Sequence, residues 1–600
     1  MDEQRLAVRL LGRPSIDRPG TDMYRFRSRK SWALLAYLVL SEHPPTRSRL
    51  ASLLFSEADD PLRALRWALA EIRRCLREEG AVDGDPVVLL LPPDAVVDVE
   101  VLAHRPWTEA VRLPGIGEDL LDGLTLHGAA AFESWLLSER RRLSAASEAI
   151  LHEAALGLMA RGELVAARSC AVRAAGMSPL DENHQSLLIR LYRLAGDDDG
   201  AEKQYAALTA LLDRELGVSP GAAVQAAMTE RVAQPQAHAD TASIQAIIES
   251  GSAAVSAGAS ESGVRTLRAA VALADRARHT GLRIDSRLVL AEALVHAIGG
   301  MDEEGLATLH EVDRIASDHG EQPAVARARA ELGYVDFLRG RYDRSEFWLT
   351  DALALGQGDA AITAKASTYL GTLESDRADY PAARAHLEQA ITLSQRIGDL
   401  RRQAYGLSML GRISLLHGDL DAAAGQLDGS IALAEQDHWL WFLPWPQALR
   451  GQVHLDSGDV DAASAALSQA FARACQFGDP CWEGMAARGL ALVAEARGDT
   501  GAAFELLADA RSRCMRRTDP YAWLEVHILD AQCQLGRRHG HPGTAGWVEL
   551  MREKASRSGM RELTVRSMVH AAGLGEDGAA AAGALLAADI ENPLIKRLLG

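Results

Sequence analysis

The sequence is poor in several features that mark common classes of protein. Only 6 of its 600 residues are cysteine, and they are scattered without a CxxC pair, which argues against a disulfide scaffold and favours a reducing compartment. Aromatic residues make up only 5% of the chain. The first residues lack the layout of a signal peptide, and no run approaches the roughly 18 apolar residues of a membrane span. These absences predict a cytoplasmic, helix-rich protein.

The motifs of the common catalytic classes are also missing. The chain has no GxxxxGK[ST], HExxH or GxSxG sequence and no metal-spaced cysteine set, so we expect no enzyme activity, cofactor or metal. A GxGxxG match at Gly573, Gly575 and Gly578 follows a helical stretch, and we interpret it as a loop between helices. The histidines of Arg538–His541 are interpreted as part of a surface loop.

Charge is distributed unevenly along the chain. The net charge is −18, yet the segment from Arg25 to Arg77 contains 11 basic and 5 acidic residues, a local charge of +6. This contrast predicts one basic module joined to a large acidic body, which would repel DNA except at the basic end.

The first hundred residues alternate short strands with helices. Leu6–Leu11 and Asp22–Arg27 are expected to pair as strands, and Ser31–Ser41 is expected to be a buried helix. Thr46 is the predicted N-cap of a second helix, and Asp60 with Pro61 opens a third that runs to about Glu79. Residues 86–91 and 95–99 are predicted to form a hairpin around Pro92-Pro93-Asp94. This order of elements is that of a winged helix-turn-helix.

The rest of the chain is predicted to be helical and repetitive. Turn motifs at Gly340, Ala378, Gly418, Gly458 and Gly498 recur at spacings of 38, 40, 40 and 40 residues, each before an alanine-rich amphipathic helix. Such hairpins bury their apolar faces by stacking into a superhelix. An earlier pair, Gly162 and Gly196, has the 34-residue tetratricopeptide spacing. The predicted fold is therefore mainly α: a winged helix-turn-helix followed by a superhelix of helical hairpins.

The third predicted helix combines an apolar stripe with an arginine-rich face. The stripe contains Leu62, Leu65, Leu69, Ile72 and Leu76. Such a helix suits the major groove, where arginine binds guanine edges or phosphates, although arginine-rich faces on single helices are commonly only solvated. The element order and the location at the basic end favour DNA binding. The predicted DNA-binding residues are Thr46, Arg47, Arg49, Arg63, Arg66, Trp67, Arg73, Arg74 and Arg77.

Three separated blocks carry a family resemblance. Residues 29–38, 46–55 and 64–76 are similar to the OmpR-like winged helix of SARP-like bacterial activators, the antibiotic-regulatory type. Phe132–Leu136, Glu139–Leu143 and the closing Leu212–Pro220 resemble that family's bacterial transcriptional activator domain. The resemblance covers about residues 1–232. Larger relatives carry an ATPase before their repeats, which this chain lacks.

The resemblance implies a function. Such proteins bind direct repeats near promoters as side-by-side copies, with the third helix in the major groove and the wing at the minor groove. They recruit RNA polymerase, through its sigma or alpha subunit, partly by the loop after the second helix. Here that loop contains Glu57, Asp59 and Asp60. The predicted wing tip Pro92-Pro93-Asp94 has no basic residue, and Phe55-Ser56 replaces the family's tryptophan-proline, so this chain departs from the pattern at both places.

The domain boundaries follow from these segments. We predict a winged helix over residues 1–101, an activator domain over 102–232, a polar linker over 233–243 and tetratricopeptide-like repeats over 244–600.

An aromatic cluster with Trp439, Trp441 and Trp445 is either repeat core or a groove for an unknown protein or small-molecule ligand. Two functions stay open: a DNA-binding transcriptional activator with sensing repeats, or a repeat scaffold whose winged helix no longer binds DNA.

Overall fold

The computed structural model describes residues 6–18, 21–24, 26, 28–41, 44–76, 81–126, 129–229, 241–256, 260–296, 303–437, 439–516 and 520–599. The chain forms two compact units. One contains residues 1–150 together with 536–600, and the other contains residues 151–535. Helices dominate both units, so the predicted mainly α fold is confirmed.

The first unit begins with the α+β part of the chain. Its elements are β1 Ala7–Arg9, β2 Ser15–Arg18, β3 Thr21–Tyr24, α1 Arg29–Leu40, α2 Arg47–Phe55, α3 Pro61–Leu76, β4 Val82–Asp83, β5 Val88–Leu89, β6 Val96–Val97, α4 Asp98–His104 and α5 Trp107–Ala110. The same unit contains the start of α6 Ala130–Ala160 and the helices α26 Thr544–Ser558, α27 Arg561–Gly573, α28 Ala579–Ala587 and α29 Pro593–Leu599.

The N-terminal sheet has the strand order β3-β2-β1-β6. Strand β1 is antiparallel to β2, with Val8 opposite Ile16, and parallel to β6. The expected pairing of Leu6–Leu11 with Asp22–Arg27 is therefore wrong, because Ser15–Arg18 forms a strand between them. Its four residues are too few for a readable alternation of apolar and polar side chains, which is why this strand is not evident in the sequence.

Buried apolar side chains fix the three helices of the winged helix. Residues 31–38 of α1 are all buried, and α2 and α3 contribute Leu50, Leu69 and Ile72 to the same core. Leu62 departs from the predicted apolar stripe of α3: it lies in the first turn and is 52% exposed. The stripe that packs on the core therefore begins at Leu65.

Asp98 joins the sheet to the helical part of this unit. Its buried carboxylate accepts hydrogen bonds from the backbone N–H groups of Leu10 and Leu11, at 2.9 and 2.8 Å. Burial raises the pKa of this carboxyl to about 6, although the N–H donors oppose the shift. The two bonds fix the end of β1 against the start of α4.

The second unit consists of helices throughout its described residues. It starts within α6 and continues through α7 Leu164–Met177, α8 Glu182–Leu194, α9 Asp198–Leu216 and α10 Ala222–Thr229. The hairpin repeats follow: α11 Thr241–Ser256, α12 Ser260–Ala277, α13 Thr280–His296, α14 Glu303–His319, α15 Gln322–Leu338, α16 Tyr342–Leu355, α17 Ala360–Arg377, α18 Tyr380–Ile397, α19 Leu400–His417, α20 Leu420–Gln436, α21 Pro444–Asp456, α22 Val460–Phe477, α23 Pro480–Ala496, α24 Thr500–Cys514 and the larger part of α25 Ala522–His539. The predicted linker over 233–243 lies mostly outside the described residues, and the four domain boundaries stay a prediction.

The repeated turns have one construction. Gly418, Gly458 and Gly498 have φ of 78°, 85° and 85°, and the aspartate that follows each of them caps the next helix. For example, Asp459 accepts a hydrogen bond from the N–H of Ala462 at 3.0 Å. Glycine tolerates the left-handed conformation and aspartate satisfies a free helix N–H, which explains the recurring Gly-Asp pair.

Close approach within each hairpin depends on a second set of glycines. A Cβ atom added to Gly411 would lie 2.7 Å from Cγ of Leu427, and the corresponding distance for Gly451 and Leu467 is 2.6 Å. Gly333 and Gly371 face Leu349 and Leu387 in the same way. Close approach of the two helices therefore needs glycines on the first helix as well as the small alanines of the second.

Buried charges connect α6 to the helical hairpins within the second unit. Arg344 of α16 makes two hydrogen bonds to Glu153 of α6, at 2.8 and 2.9 Å. Glu303 lies 3.1 Å from both His152 Nε2 and Arg339 Nη2. Burial lowers the pKa of His152 to about 4. This cluster fixes the last turns of α6 against α14–α16.

Candidate nucleic-acid interface

The outer face of α3 carries four of the predicted DNA-binding side chains. Arg63, Arg66, Trp67 and Arg74 are exposed, whereas Leu65, Ala68, Leu69 and Ile72 are buried on the opposite side. Trp67 is 66% exposed, which is unusual for so large an apolar side chain. The helix therefore presents three cations and one flat aromatic ring on a single surface.

Capping fixes where the two helices of this motif begin. Asp60 Oδ1 accepts a hydrogen bond from the N–H of Arg63 at 2.9 Å, and Pro61 occupies the first turn of α3, as predicted. Thr46 caps α2 by accepting from the N–H of Arg49 at 3.3 Å. Thr46 itself is exposed, so its hydroxyl lies at the surface beside the N-terminus of α2.

The turn of the wing lies eight residues before its predicted position. Strands β4 and β5 pair with Val82 opposite Leu89, so the turn contains Gly84, Asp85 and Pro86. The predicted strand at 95–99 instead forms β6, which belongs to the N-terminal sheet. Pro92-Pro93-Asp94 is the connection to that sheet. The predicted hairpin was therefore wrong, although the sequence Asp-Gly-Asp-Pro is itself a turn signal.

Two predicted DNA-binding arginines hold this wing in place. Arg47 donates from Nε to the carbonyl of Gly84 at 2.8 Å, and Arg73 donates from Nε to the carbonyl of Val82 at 2.7 Å. Both guanidinium groups also lie 3.7 Å from Asp83. Their side chains are engaged within the motif, whereas Arg63, Arg66 and Arg74 lie at its surface.

The wing tip is acidic. Asp83 and Asp85 are exposed, and residues 81–91 include no lysine or arginine. The expectation that the wing lacks a basic residue therefore applies to the actual turn as well. A tip of this charge is repelled by phosphates.

Arg49 has partners of a different kind. Its Nη2 donates to the backbone carbonyl of Leu585 at 2.6 Å, and its Nη1 lies 3.5 Å from Asp589 Oδ2. These partners belong to the end of α28 and the residues after it, within the same compact unit. The sequence gives no signal of this contact, because the partners are more than 530 residues apart. Arg77, the remaining predicted residue, lies outside the described residues.

The loop between α2 and α3 is exposed and acidic. Glu57, Asp59 and Asp60 all lie at the surface. Asp60 is partly engaged as the N-cap of α3. This leaves Glu57 and Asp59 as the outward acidic residues of the predicted polymerase-contact loop.

The aromatic cluster in the second unit is divided between core and surface. Trp445 is 1% exposed and packs on Trp482, with ring centroids 4.8 Å apart. Trp439 and Trp441 are half-buried, and Trp439 stacks on Phe442 at 4.2 Å. Trp445 is therefore a core residue, whereas Trp439 and Trp441 keep part of their surface exposed.

Comparison with known families identifies the segment that follows the winged helix. Residues 98–231 match the family described as "Bacterial transcriptional activator domain". The match assigns a bacterial transcriptional activator domain to this segment, which is less than a quarter of the chain. The structure places helices of the winged helix before this segment and helical hairpins after it, which is the order that the resemblance to SARP-like activators predicts.

Solved structures give more distant likenesses. EmbR of Mycobacterium tuberculosis, in complex with a low-affinity phosphopeptide, is 21% identical over 38% of this chain and 64% of that chain, with a TM-score of 0.29. The chain thus spans less than two thirds of EmbR. A Rap protein complexed with competence and sporulation factor is 11% identical over 60% of this chain and 99% of its own, with a TM-score of 0.41. Yeast Tom70 is 12% identical over 70% and 95%, with a TM-score of 0.29.

TM-scores of this size do not establish a shared overall fold. No curated protein matches the chain. Among the described helices, none combines the length and the apolar character needed to cross a bilayer.

Proposed function

We propose that this protein is a cytoplasmic, sequence-specific DNA-binding transcriptional activator that acts by binding and not by catalysis. In this proposal α3 enters the major groove of promoter DNA, and neighbouring copies of the chain bind direct repeats side by side. The activator domain and the loop at Glu57 and Asp59 then recruit RNA polymerase.

The observation that carries the proposal is the exposed face of α3. Arg63, Arg66 and Arg74 project from a helix whose other side is packed in the core, and Trp67 lies between them. Arginine binds the O6 and N7 atoms of guanine in a bidentate manner or neutralises phosphate, and an apolar ring suits the methyl group of thymine. A rigid helix with such a face is what direct readout in the major groove requires.

The test is a gel shift with the DNA upstream of the gene that encodes the protein. We expect Arg66→Ala to weaken specific binding by about 5- to 150-fold, the range for loss of one good base contact. Arg396→Ala is the matched control, because Arg396 is exposed on the repeats and its loss changes the net charge equally. Equal effects of both variants, or binding that does not depend on salt, would count against the proposal.

Recruitment of polymerase has its own test. We expect Glu57→Ala with Asp59→Ala to leave the DNA affinity unchanged and to lower transcription from the promoter in a purified system. Asp94→Ala, at another exposed acidic position of the same unit, is the control. A loss of DNA binding in the double variant would show that the loop acts on DNA and not on polymerase.

A second candidate function has specific support. Arg47, Arg49 and Arg73 are engaged within the protein, and the wing tip is acidic. These features favour an interaction scaffold whose winged helix no longer binds DNA. Under either function the repeats, with Trp439 and Trp441 at their surface, are proposed to bind a protein or small ligand. An absence of specific DNA binding by the intact chain would favour the scaffold.

A further inference from the structure

The C-terminal segment contacts the winged helix through Arg49 of α2, within one compact unit. We call residues 579–599, which form α28 and α29, the C-terminal latch. Its base is fixed: Asn592 is fully buried and donates from Nδ2 to Glu562 of α27 at 2.8 Å, and Ile590 and Ile595 are also fully buried. Ahead of the latch, Glu549 of α26 lies 2.8 Å from Arg141 of α6. The latch is thus anchored to α27, and the helices before it are tied to α6.

The end of α28 and the residue Asp589 form an anionic site for Arg49. Leu585 lies in the last turn of α28, where backbone carbonyls lack intrahelical partners and carry partial negative charge. Its carbonyl accepts from Arg49 Nη2 at 2.6 Å, and the Asp589 carboxylate lies 3.5 Å from Nη1. Two acceptors of this kind offer the guanidinium what a DNA phosphate would offer.

The contact leaves the guanidinium incompletely satisfied. The Nε atom of Arg49 is buried, and it has no hydrogen-bond partner among the described residues. A buried donor without an acceptor weakens the docked state, because the N–H has lost its water. Asp589 holds Arg49 only through a partly exposed ion pair, and such pairs are weak. Both features favour a docked state from which Arg49 can be released.

The contact matters because of where Arg49 lies in the winged helix. Arg49 lies in the first turn of α2, next to the exposed N-cap Thr46. In helix-turn-helix proteins the helix before the recognition helix crosses the DNA backbone, and its N-terminus faces phosphate. An arginine held by Leu585 and Asp589 cannot bind that phosphate at the same time.

We propose that the C-terminal latch is an intramolecular competitor of DNA: its anionic site and a backbone phosphate are alternative partners of Arg49. This inference rests on the proposed DNA-binding function. Docking of the latch reduces the fraction of binding-competent molecules and thereby weakens the apparent DNA affinity. Any partner that pulls the latch away would strengthen DNA binding.

The experiment compares DNA affinity among variants of the full chain. Asp589→Ala is expected to bind promoter DNA about 3- to 10-fold more tightly than the wild type, since it removes the acidic half of the site. Ala584→Pro, at an exposed position of α28, breaks that helix and displaces the Leu585 carbonyl, and the same direction is expected. Asp577→Ala is the matched control, because it removes an exposed acidic residue ahead of the latch.

A second measurement separates the latch from general charge effects. In an Arg49→Ala background, Asp589→Ala is expected to have no further effect on affinity. Hydrogen exchange at residues 579–599 is expected to speed up when DNA is added to the wild type. If wild type and Asp589→Ala bind DNA equally, or if bound DNA does not change hydrogen exchange in the latch, the proposed competition is overturned while the proposed function stands. If none of the variants binds DNA, the proposed function fails and the latch falls with it.

Discussion

Arg412 and Asp376 form a buried ion pair in the second unit: Nη2 of Arg412 lies 2.6 Å from Oδ1 of Asp376, and their side chains are 1% and 0% exposed. The hydroxyl of Tyr521 accepts from Arg412 Nη1 at 2.7 Å and lies 2.9 Å from the same carboxylate. Tyr342 donates to Asp376 Oδ2 at 2.9 Å. One polar network therefore ties α16, α17 and α19 to the start of α25, across 145 residues of sequence.

Removal of Arg412 should destabilise the repeats strongly. Arg412→Met leaves the Asp376 carboxylate buried without its cation, so we expect a loss of about 3–5 kcal/mol. Native-state hydrogen exchange of the amides in α17 and α19 measures this loss directly. The control is Arg450→Met, since Arg450 pairs with Asp428 at 2.9 Å but Asp428 is 58% exposed, and we expect at most about 1 kcal/mol there. Similar losses for both variants would show that the buried network contributes no more than a surface pair.

This network marks a limit of what the sequence reveals. The hairpin turns could be predicted because glycine and aspartate recur locally, and Thr46 and Asp60 could be predicted as caps because capping is also local. Neither Arg412 with Tyr521 nor Arg49 with Asp589 has a local pattern, since each pair is brought together only by the packing of distant helices. Such contacts require the tertiary structure.

The misplaced wing has a different cause. Strands of two residues are too short to show an alternation of apolar and polar side chains, so the apolar run at 87–91 suggested a longer strand. Pro92-Pro93-Asp94 then looked like the turn, although it only connects the wing to the sheet. The exposed arginines of α3 were predictable, because a helix of 16 residues shows its periodicity clearly. The arginines that hold the wing were not predictable, because their identity depends on where the turn lies.

Two glycines of the repeats should respond oppositely to alanine. Gly458 has φ of 85° at a turn, and Gly425 lies at an exposed position inside α20; no atom lies within 4 Å of a Cβ added at either position. Gly458→Ala is expected to cost about 1 kcal/mol, because alanine is strained in the left-handed region. Gly425→Ala is expected to gain about 0.5–1 kcal/mol from helix propensity. Urea unfolding followed by circular dichroism measures both, and effects of the same sign would contradict the assigned backbone conformations.

Stability should fall in mild acid because of a buried imidazole. Burial lowers the pKa of His310 to about 4, so between pH 6.5 and 4 the unfolded chain binds a proton that the folded chain does not. The contribution of neutral His310 to the free energy of unfolding is complete above pH 6.5. It is lost as the pH falls toward 4, at up to about 1.4 kcal/mol per pH unit. Glu303 and Arg344 are the charged groups that act on it, in opposite directions.

Replacement of His310 tests whether this residue makes stability fall as the pH is lowered. Urea midpoints of His310→Gln at pH 7.5 and 5.5 should differ less than those of the wild type. His319→Gln is the control, because His319 lies exposed at the end of the same helix, α14, and the wild-type pH dependence should persist there. His152, whose pKa is also about 4, should keep part of the dependence in both variants. If His310→Gln loses stability in acid more steeply than the wild type, the direction assigned to the pKa shift of His310 is wrong.

Adjacent arginines of α3 should differ in what they do for DNA binding. Arg74 is exposed, whereas Arg73 is bonded to the carbonyl of Val82 and lies near Asp83 of the wing. Arg74→Ala is expected to reduce the slope of log affinity against log salt by about 1, as for the loss of one phosphate contact, without a change in stability. Arg73→Ala is expected to leave that slope unchanged and to speed hydrogen exchange at Val82 and Val88, because the wing loses its tie to α3.

The two variants together distinguish a phosphate contact from a positioning residue. Both remove one positive charge from neighbouring positions, so a general change in electrostatic attraction would lower the salt slope equally in each. An unequal slope with the exchange effect confined to Arg73→Ala would support the assignment of Arg74 to DNA and of Arg73 to the wing. Arg73→Ala could instead lower the salt slope and leave hydrogen exchange in the wing unchanged. That result would mean that the Arg73 guanidinium leaves the Val82 carbonyl for a phosphate when DNA binds, and that Arg47 alone holds the wing.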